Sequence, residues 1–419
     1  MQRPRKFTSR CAIGLIGLVC ALASPVQAAD APAWTQGDWD LNLRYRFEHA
    51  DDTLNRKAKA STVRAGLIYR SAEVNGFSAL AEVEHVSTIG GETYNDGGTN
   101  GKTQYAVIAD PEGTEINQAY VQFTGLPNTT LRYGRQEIFH RKTPFHRFIG
   151  TVLFRQNHQS MDGFRVQSSP IENLAFDGGY IHNVNRIFGE DNDLPNRSDH
   201  DLDGLLARLE YTGIEGMTIE GYFYDLDFTN ALALSTQTFG AKVWGDIPMG
   251  EGWVAHYAAE RSQQNDTGDN PHDLSLAYWG GSVGLTIEQW NGITAKLNHE
   301  RMEGDGTMAF QFPLATLHAH QGWADKFLST PAAGLRDTYV TVQGRAGPVG
   351  LLFAWRSFEA EMGGFDYGWE WNFQATAKPT ERLSVGFKVA DYHADGNPLN
   401  TGATARDTTK FWAWMQLAL

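Results

Sequence analysis

Apolar and polar side chains alternate strictly across Asp38–Glu48. Trp39, Leu41, Leu43, Tyr45 and Phe47 take the odd positions; Asp38, Asp40, Asn42, Arg44, Arg46 and Glu48 take the even ones. A period of two over this stretch predicts a β-strand with one apolar and one polar face. Residues 365–378 repeat the pattern, with Phe365, Tyr367, Trp369, Trp371, Phe373, Ala375 and Ala377 assigned to one face. A strand of about fourteen residues is more than twice the usual soluble length. Less regular segments recur at 62–71, 77–86, 118–124, 130–136, 163–167, 174–183, 205–211 and 218–223. The series continues at 238–245, 253–260, 274–281, 293–300, 339–343, 351–358, 383–392 and 410–419, giving eighteen predicted strands.

The connections alternate as well. Short ones are rich in Gly, Pro and Asn, as at Glu73-Val74-Asn75-Gly76 and Gly125-Leu126-Pro127-Asn128, which suits tight hairpins. The intervening ones are mostly longer, as at 87–113, 137–160, 184–203 and 302–337. Short turns alternating with long loops mark an all-β chain closed as a transmembrane antiparallel β-barrel, with short periplasmic turns and long extracellular loops. The chain ends on a strand-like run, Phe411 to Leu419, which would pair with the first strand and remove both sheet edges.

Composition narrows the reading. The 419 residues carry 35 bases and 49 acids, a charge of −14, and two Cys. Both cysteines, Cys11 and Cys20, lie in a leader with a basic start, an apolar stretch 11–23 and a small-residue exit at Val26-Gln27-Ala28. This is read as a secretory signal over residues 1–28, cleaved after Ala28, with one barrel domain over 29–419. The leader holds four bases and no acids, so its removal takes −14 to −18. Such acidity argues against nucleic-acid partners. Without cysteine, the remainder has no disulfide or thiolate metal site.

Face assignment puts Arg44, Arg46, Arg64, Arg132, Arg165, Lys242, Lys296, Arg356 and Lys388 on the polar, lumen side, with Glu82, Glu84, Glu220, Glu260, Glu300 and Glu370 among the acids. Charge on a wet lumen selects solutes by sign and size. An acidic stretch, Glu190 to Asp203, is read as a solvated loop, since its spacing does not fit an EF-hand. His318 and His320 lack a ligand set of known spacing, and His158 with Ser160 lacks an orienting partner. No catalytic residue, metal or cofactor is expected.

Several runs together resemble one family. They are Asn117-Gln118-Ala119-Tyr120-Val121-Gln122, Leu131-Arg132-Tyr133-Gly134-Arg135-Gln136-Glu137-Ile138, Phe154-Arg155-Gln156-Asn157, and the long segment Phe312 to Leu328 leading to Gly334-Leu335-Arg336-Asp337. They resemble the alginate-export family of outer-membrane porins. The resemblance implies an eighteen-stranded barrel with arginines along a path for an anionic polymer or sugar acid. By motif position it points to Arg135 and Arg155, which join Arg44, Arg46, Arg64, Arg132 and Arg165 as candidate pathway residues. It also makes Ser87–Gly113 the candidate extracellular plug.

The expected function is passive transport through a monomeric outer-membrane channel with an anionic bias. Expected partners are outer-membrane lipid and lipopolysaccharide, the barrel-assembly machinery at the C-terminal strand, and the anionic solute or polysaccharide. Two alternatives are a soluble secreted β-protein that binds carbohydrate and a barrel enzyme acting on lipid.

Overall fold

The structure, a computed structural model, describes residues 36–141, 147–194 and 196–419. The expected signal, residues 1–28, lies outside the described residues. Among the described residues, eighteen antiparallel strands form one sheet that closes on itself. They are β1 (Gly37–Asp51), β2 (Ala58–Ser71), β3 (Phe77–Thr88), β4 (Gly113–Leu126), β5 (Thr129–Gln136) and β6 (Ser160–Ile171). Next come β7 (Leu174–Asn185), β8 (Asp199–Ile214), β9 (Met217–Phe228), β10 (Thr236–Gly250), β11 (Trp253–Asp266) and β12 (Ser275–Ile287). The circuit ends with β13 (Ile293–Met302), β14 (Leu335–Ala346), β15 (Val349–Glu359), β16 (Asp366–Ala377), β17 (Leu383–Ala394) and β18 (Thr408–Ala418). β1 pairs with both β2 and β18, with Asn42 opposite Ala418 and Asp51 opposite Thr409, so no edge remains open.

Each strand expected from alternation is present, and the faces separate by exposure. On β1, Arg46 and Glu48 are 2% and 1% exposed, whereas Trp39 is 63% exposed. Two short turns use Asn-Gly pairs at positive φ, Asn75-Gly76 (52°, 82°) and Asn291-Gly292 (56°, 68°), the backbone a tight hairpin requires.

Two face assignments need correction. Phe365 and Tyr367 point inward and are buried, while Trp369 points outward. The cause is a bulge where Phe358 faces Gly368 but Glu359 faces Asp366. Gly368, at φ 141°, takes the strained position and shifts the alternation by one residue. Likewise Asp199–Asp203 belongs to β8, not to a loop. His200 and Leu202 are each 3% exposed toward the interior, which leaves the aspartates on the outer face.

The long connections fill the lumen from one end. Phe148 and Ile149 of the 137–159 segment and Phe310, Phe312, Leu314 and Phe327 of 303–334 form one apolar cluster with wall residues Tyr222, Tyr224, Tyr278, Phe358 and Tyr392. Phe148 is the hinge of this packing, 4.8 Å from the Tyr222 ring and 5.1 Å from that of Phe312. The two segments also join through their backbones, Gly150 N donating to Leu314 O at 2.9 Å. The plug expected at 87–113 is therefore shared among three loops. The 87–113 segment supplies its inner end, Ile108 to Asp110, all buried.

Candidate functional site

The loop tip Leu153–Arg155 crosses the lumen because the wall binds its carbonyls. Arg44 donates to Leu153 O at 2.8 Å, to Gln156 Oε1 at 2.7 Å and to Arg155 O. Arg46 donates to Phe154 O and pairs with Asp110, which also accepts from Gln156 N at 3.0 Å. A guanidinium has five donors in a fixed fork, so it can hold carbonyls and carboxylates together. Arg155 then reaches back to Glu48 at 3.1 Å and to Asp325 at 3.5 Å.

The second loop is tied to the adjoining wall, β16–β18. Glu370 accepts from Trp323 N at 2.5 Å and Ala324 N at 3.0 Å. Gly322, at φ 83°, permits this approach, since a Cβ there would meet the Glu370 carboxylate. Lys410 pairs with Asp325 at 2.6 Å. His318, in the short turn Leu317–Ala319, is the junction: Lys388 Nζ donates to its Nε2 at 2.7 Å, which assigns Nδ1–H as the donor to Asp325 at 2.6 Å. Its ring stacks on Phe154 at 3.8 Å and 13°. Burial pushes the His318 pKa down to about 3, with the Lys388 charge adding to it against the pull of Asp325. It is therefore the neutral imidazole, suited to accept from Lys388.

Two cavities lie against the plug. The larger, about 640 Å³, is lined by six bases (Arg141, Arg147, Lys242, Lys296, Arg356 and Lys388) against three acids (Asp246, Glu260 and Glu300). The smaller, about 160 Å³, is lined by Arg44, Arg46, Leu153, Phe154, Gln374, Trp414 and Gln416. Leu153 and Phe154 border both, so the loop tip is the partition between them.

Partners decide which bases can meet a solute. Arg141 is held by Glu220 at 2.7 Å and Glu260 at 2.6 Å, and Arg147 by Glu300 at 2.8 Å. Arg356 pairs with Asp337, and Lys388 sits in an aromatic cage 3.7 Å from the Trp323 centroid. Lys242 is different: its nearest carboxylate, Glu260, is 3.8 Å away and already serves Arg141. Lys296 has no carboxylate within ion-pair distance among the described residues.

The seven arginines singled out by sequence divide. Arg44, Arg46, Arg64, Arg132 and Arg165 stand on the inner face, and Arg155 projects from the loop into the lumen. Arg64 bridges Glu82 at 2.9 Å and Glu84 at 2.7 Å, and Arg165 pairs with Asp177 at 2.5 Å. Arg132 bonds Gln122 at 2.7 Å beside the Tyr120 ring. Arg135 departs from expectation. It shares the outward side of β5 with Tyr133, which is 66% exposed, and pairs with Asp162 at 3.0 Å and Glu190 at 2.5 Å. Strand alternation forbids Arg132 and Arg135, an odd number of residues apart, from sharing the lumen.

His158 is held down to about 3 by burial and the Arg64 charge, and lies 3.0 Å from Glu137. With Glu82 and Glu84 it forms a group of metal-ligand type, but Arg64 donates to both carboxylates and already supplies the positive charge there. Sequence could not reveal that cluster, because Glu82 and Glu84 come from β3 and His158 from a distant loop.

Neither a family model nor a curated relative matches the chain. Solved structures do share its fold. Pseudomonas aeruginosa OccK9 (OpdG) superposes with TM-score 0.71 at 13% identity, covering 93% of this chain and 100% of that one. Acinetobacter baumannii OccAB2 gives 0.72 at 12% identity over 93% and 99%. P. aeruginosa OpdK, determined with vanillate, gives 0.70 at 14% identity over 93% and 100%. The likeness supports the eighteen-stranded porin-type barrel and not the alginate-export assignment.

Proposed function

We propose that the chain is a monomeric channel of the bacterial outer membrane, passing small anionic solutes by passive diffusion. The observation that carries this reading is the larger cavity against the plug, where bases outnumber acids two to one and Lys242 and Lys296 have no close carboxylate pair. An apolar outer face on a closed barrel suits a bilayer, since closure satisfies every strand's backbone. Three loops across the lumen favour a small solute over an alginate-like polymer, which would need a continuous bore. The vanillate of the OpdK structure is a small carboxylate, in keeping with that size and sign. β18, at the barrel seam, is the segment offered to the assembly machinery.

The test is conductance in planar bilayers under a salt gradient. The expected result is discrete channels with a reversal potential on the anion side, and competition by small carboxylates. Cation-selective channels would overturn the anionic bias. A protein that stays in solution without detergent would overturn the membrane reading.

A further inference from the structure

The outward face at the long-loop end carries a row with no part in the channel. Arg261 of β11, Trp279 of β12, Arg301 of β13 and Arg336 of β14 stand directly opposite one another in successive ladders. Their sequence neighbours Glu260, Tyr278, Glu300 and Asp337 are buried in the lumen, so alternation points the four side chains away from it. Trp279 is 47% exposed, with the Arg261 guanidinium 4.3 Å above its ring. Four residues along the same faces, toward the short turns, come Val283, Leu297 and Val340, all exposed. The row thus stands just above an apolar band, where head groups replace acyl chains, a level that suits an amphipathic Trp.

Two of the three cations are uncommitted. Arg261 donates to Ser262 O and, at 3.5 Å, to Gln263 Oε1; Arg336 donates to the Glu361 carbonyl at 3.2 Å. Neither has a carboxylate within ion-pair distance among the described residues. Arg301 is paired, with Glu361 at 2.6 Å and Glu303 at 3.2 Å. On β8 and β9 the rim is opposite in sign, with Asp201, Asp203, Asp225 and Asp227 on the outward face. An anionic head group is repelled there; here Arg261 and Arg336 are open to it, although Glu359 of β15 stands opposite Arg336. Neighbouring strands lie about 4.8 Å apart, so Arg261 and Arg336, three strands apart, stand about 14 Å from each other. That span suits a head group with two separated phosphates, which guanidinium binds in a bidentate manner.

We infer that this row is a docking surface for the phosphorylated head group of an outer-leaflet glycolipid, Arg261 and Arg336 each taking a phosphate and Trp279 marking the interface. The inference rests on the membrane reading above. The experiment is binding of diphosphorylated lipid A to the full barrel in detergent, measured by native mass spectrometry. Wild type is compared with the double variant Arg261→Gln, Arg336→Gln, which keeps donors to the same backbone oxygens. The expected result is about tenfold weaker binding in the double variant, and comparably weak binding of dephosphorylated lipid A to wild type. Equal binding by the variant, or equal binding of the dephosphorylated lipid, overturns the inference. Conductance of the same samples separates the two claims. A variant that conducts like wild type and has lost lipid binding supports the docking surface. A barrel that binds lipid through these arginines but does not conduct overturns the channel alone.

Discussion

The two sides of the lumen use positive charge differently. On the β1–β6 side, three buried arginines are answered by carboxylates: Arg46 by Asp110, Arg64 by Glu82 and Glu84, Arg165 by Asp177. On the β10–β17 side, Lys242 and Lys296 line the open cavity with little or no neutralisation. The first arrangement holds loops to the wall; the second leaves charge for a solute. A buried pair gains little net stability, because desolvation offsets attraction, but breaking one strands its partner. Hence the densest cluster of arginines is a brace, and the sparser lysines are the better candidates for selectivity.

The sharpest way to break this contrast is to remove a brace. Arg46→Ala leaves Asp110 buried without its main counter-charge and frees the Phe154 carbonyl. The expected cost is about 3–5 kcal/mol, the usual penalty for halving a buried pair. Urea unfolding of the refolded barrel measures it. Part of the loss can appear as release of the loop tip, seen as larger and noisier conductance at unchanged ion preference. A variant as stable and as quiet as wild type, but altered in selectivity, would assign Arg46 to the solute path instead.

Mild acid probes the same brace from the loop side. His318 sits near pKa 3 in the folded protein, depressed by burial, against about 6.5 when the loop is free. A depressed pKa means the neutral form is favoured on folding. That stability is fully present above pH 6.5 and is lost as pH falls through 6.5 toward 3. At pH 5 the loss is about 2 kcal/mol. His140 and His158, in the other plug loop, are also held near 3 and shift the balance the same way. The expected outcome is plug loosening between pH 6.5 and 4, followed by the fluorescence of Trp323. His318→Gln, which keeps a polar side chain without that titration, should flatten part of the response; an unchanged profile in the variant would remove His318 from the account.

Much of the wall was legible in the sequence because a lipid-facing strand must alternate. The period of two located eighteen strands and put Arg44, Arg46, Arg64, Arg132 and Arg165 on the inner face. It failed where geometry inserts a residue, at Gly368, and where inward side chains hide among acids, at His200 and Leu202. Pairing was not legible at all. Arg64 meets Glu82 and Glu84 from the next strand, but Arg155 meets Glu48 and Asp325 across 107 and 170 residues. Alternation carries a face and no partner, so it could not tell a brace from a pathway. Arg135 shows the cost of relying on a short motif: its spacing from Arg132 already set it on the outer face.

The finest test lies on the other side of the lumen. Lys242→Gln with Lys296→Gln removes two charges from the cavity and breaks no close carboxylate pair, since Glu260 keeps Arg141 at 2.6 Å. The barrel should therefore unfold at nearly the wild-type urea concentration. Each charge acts on a passing anion through water-rich surroundings, where a unit charge at about 4 Å is worth about 1 kcal/mol. Anion permeability should fall about fivefold per lysine, with the reversal potential moving toward the cation side. Higher ionic strength should shrink the difference, because screening acts on exposed charge and spares the buried arginine pairs. If selectivity instead follows Arg64→Gln and ignores the lysines, the roles of the two sides are reversed.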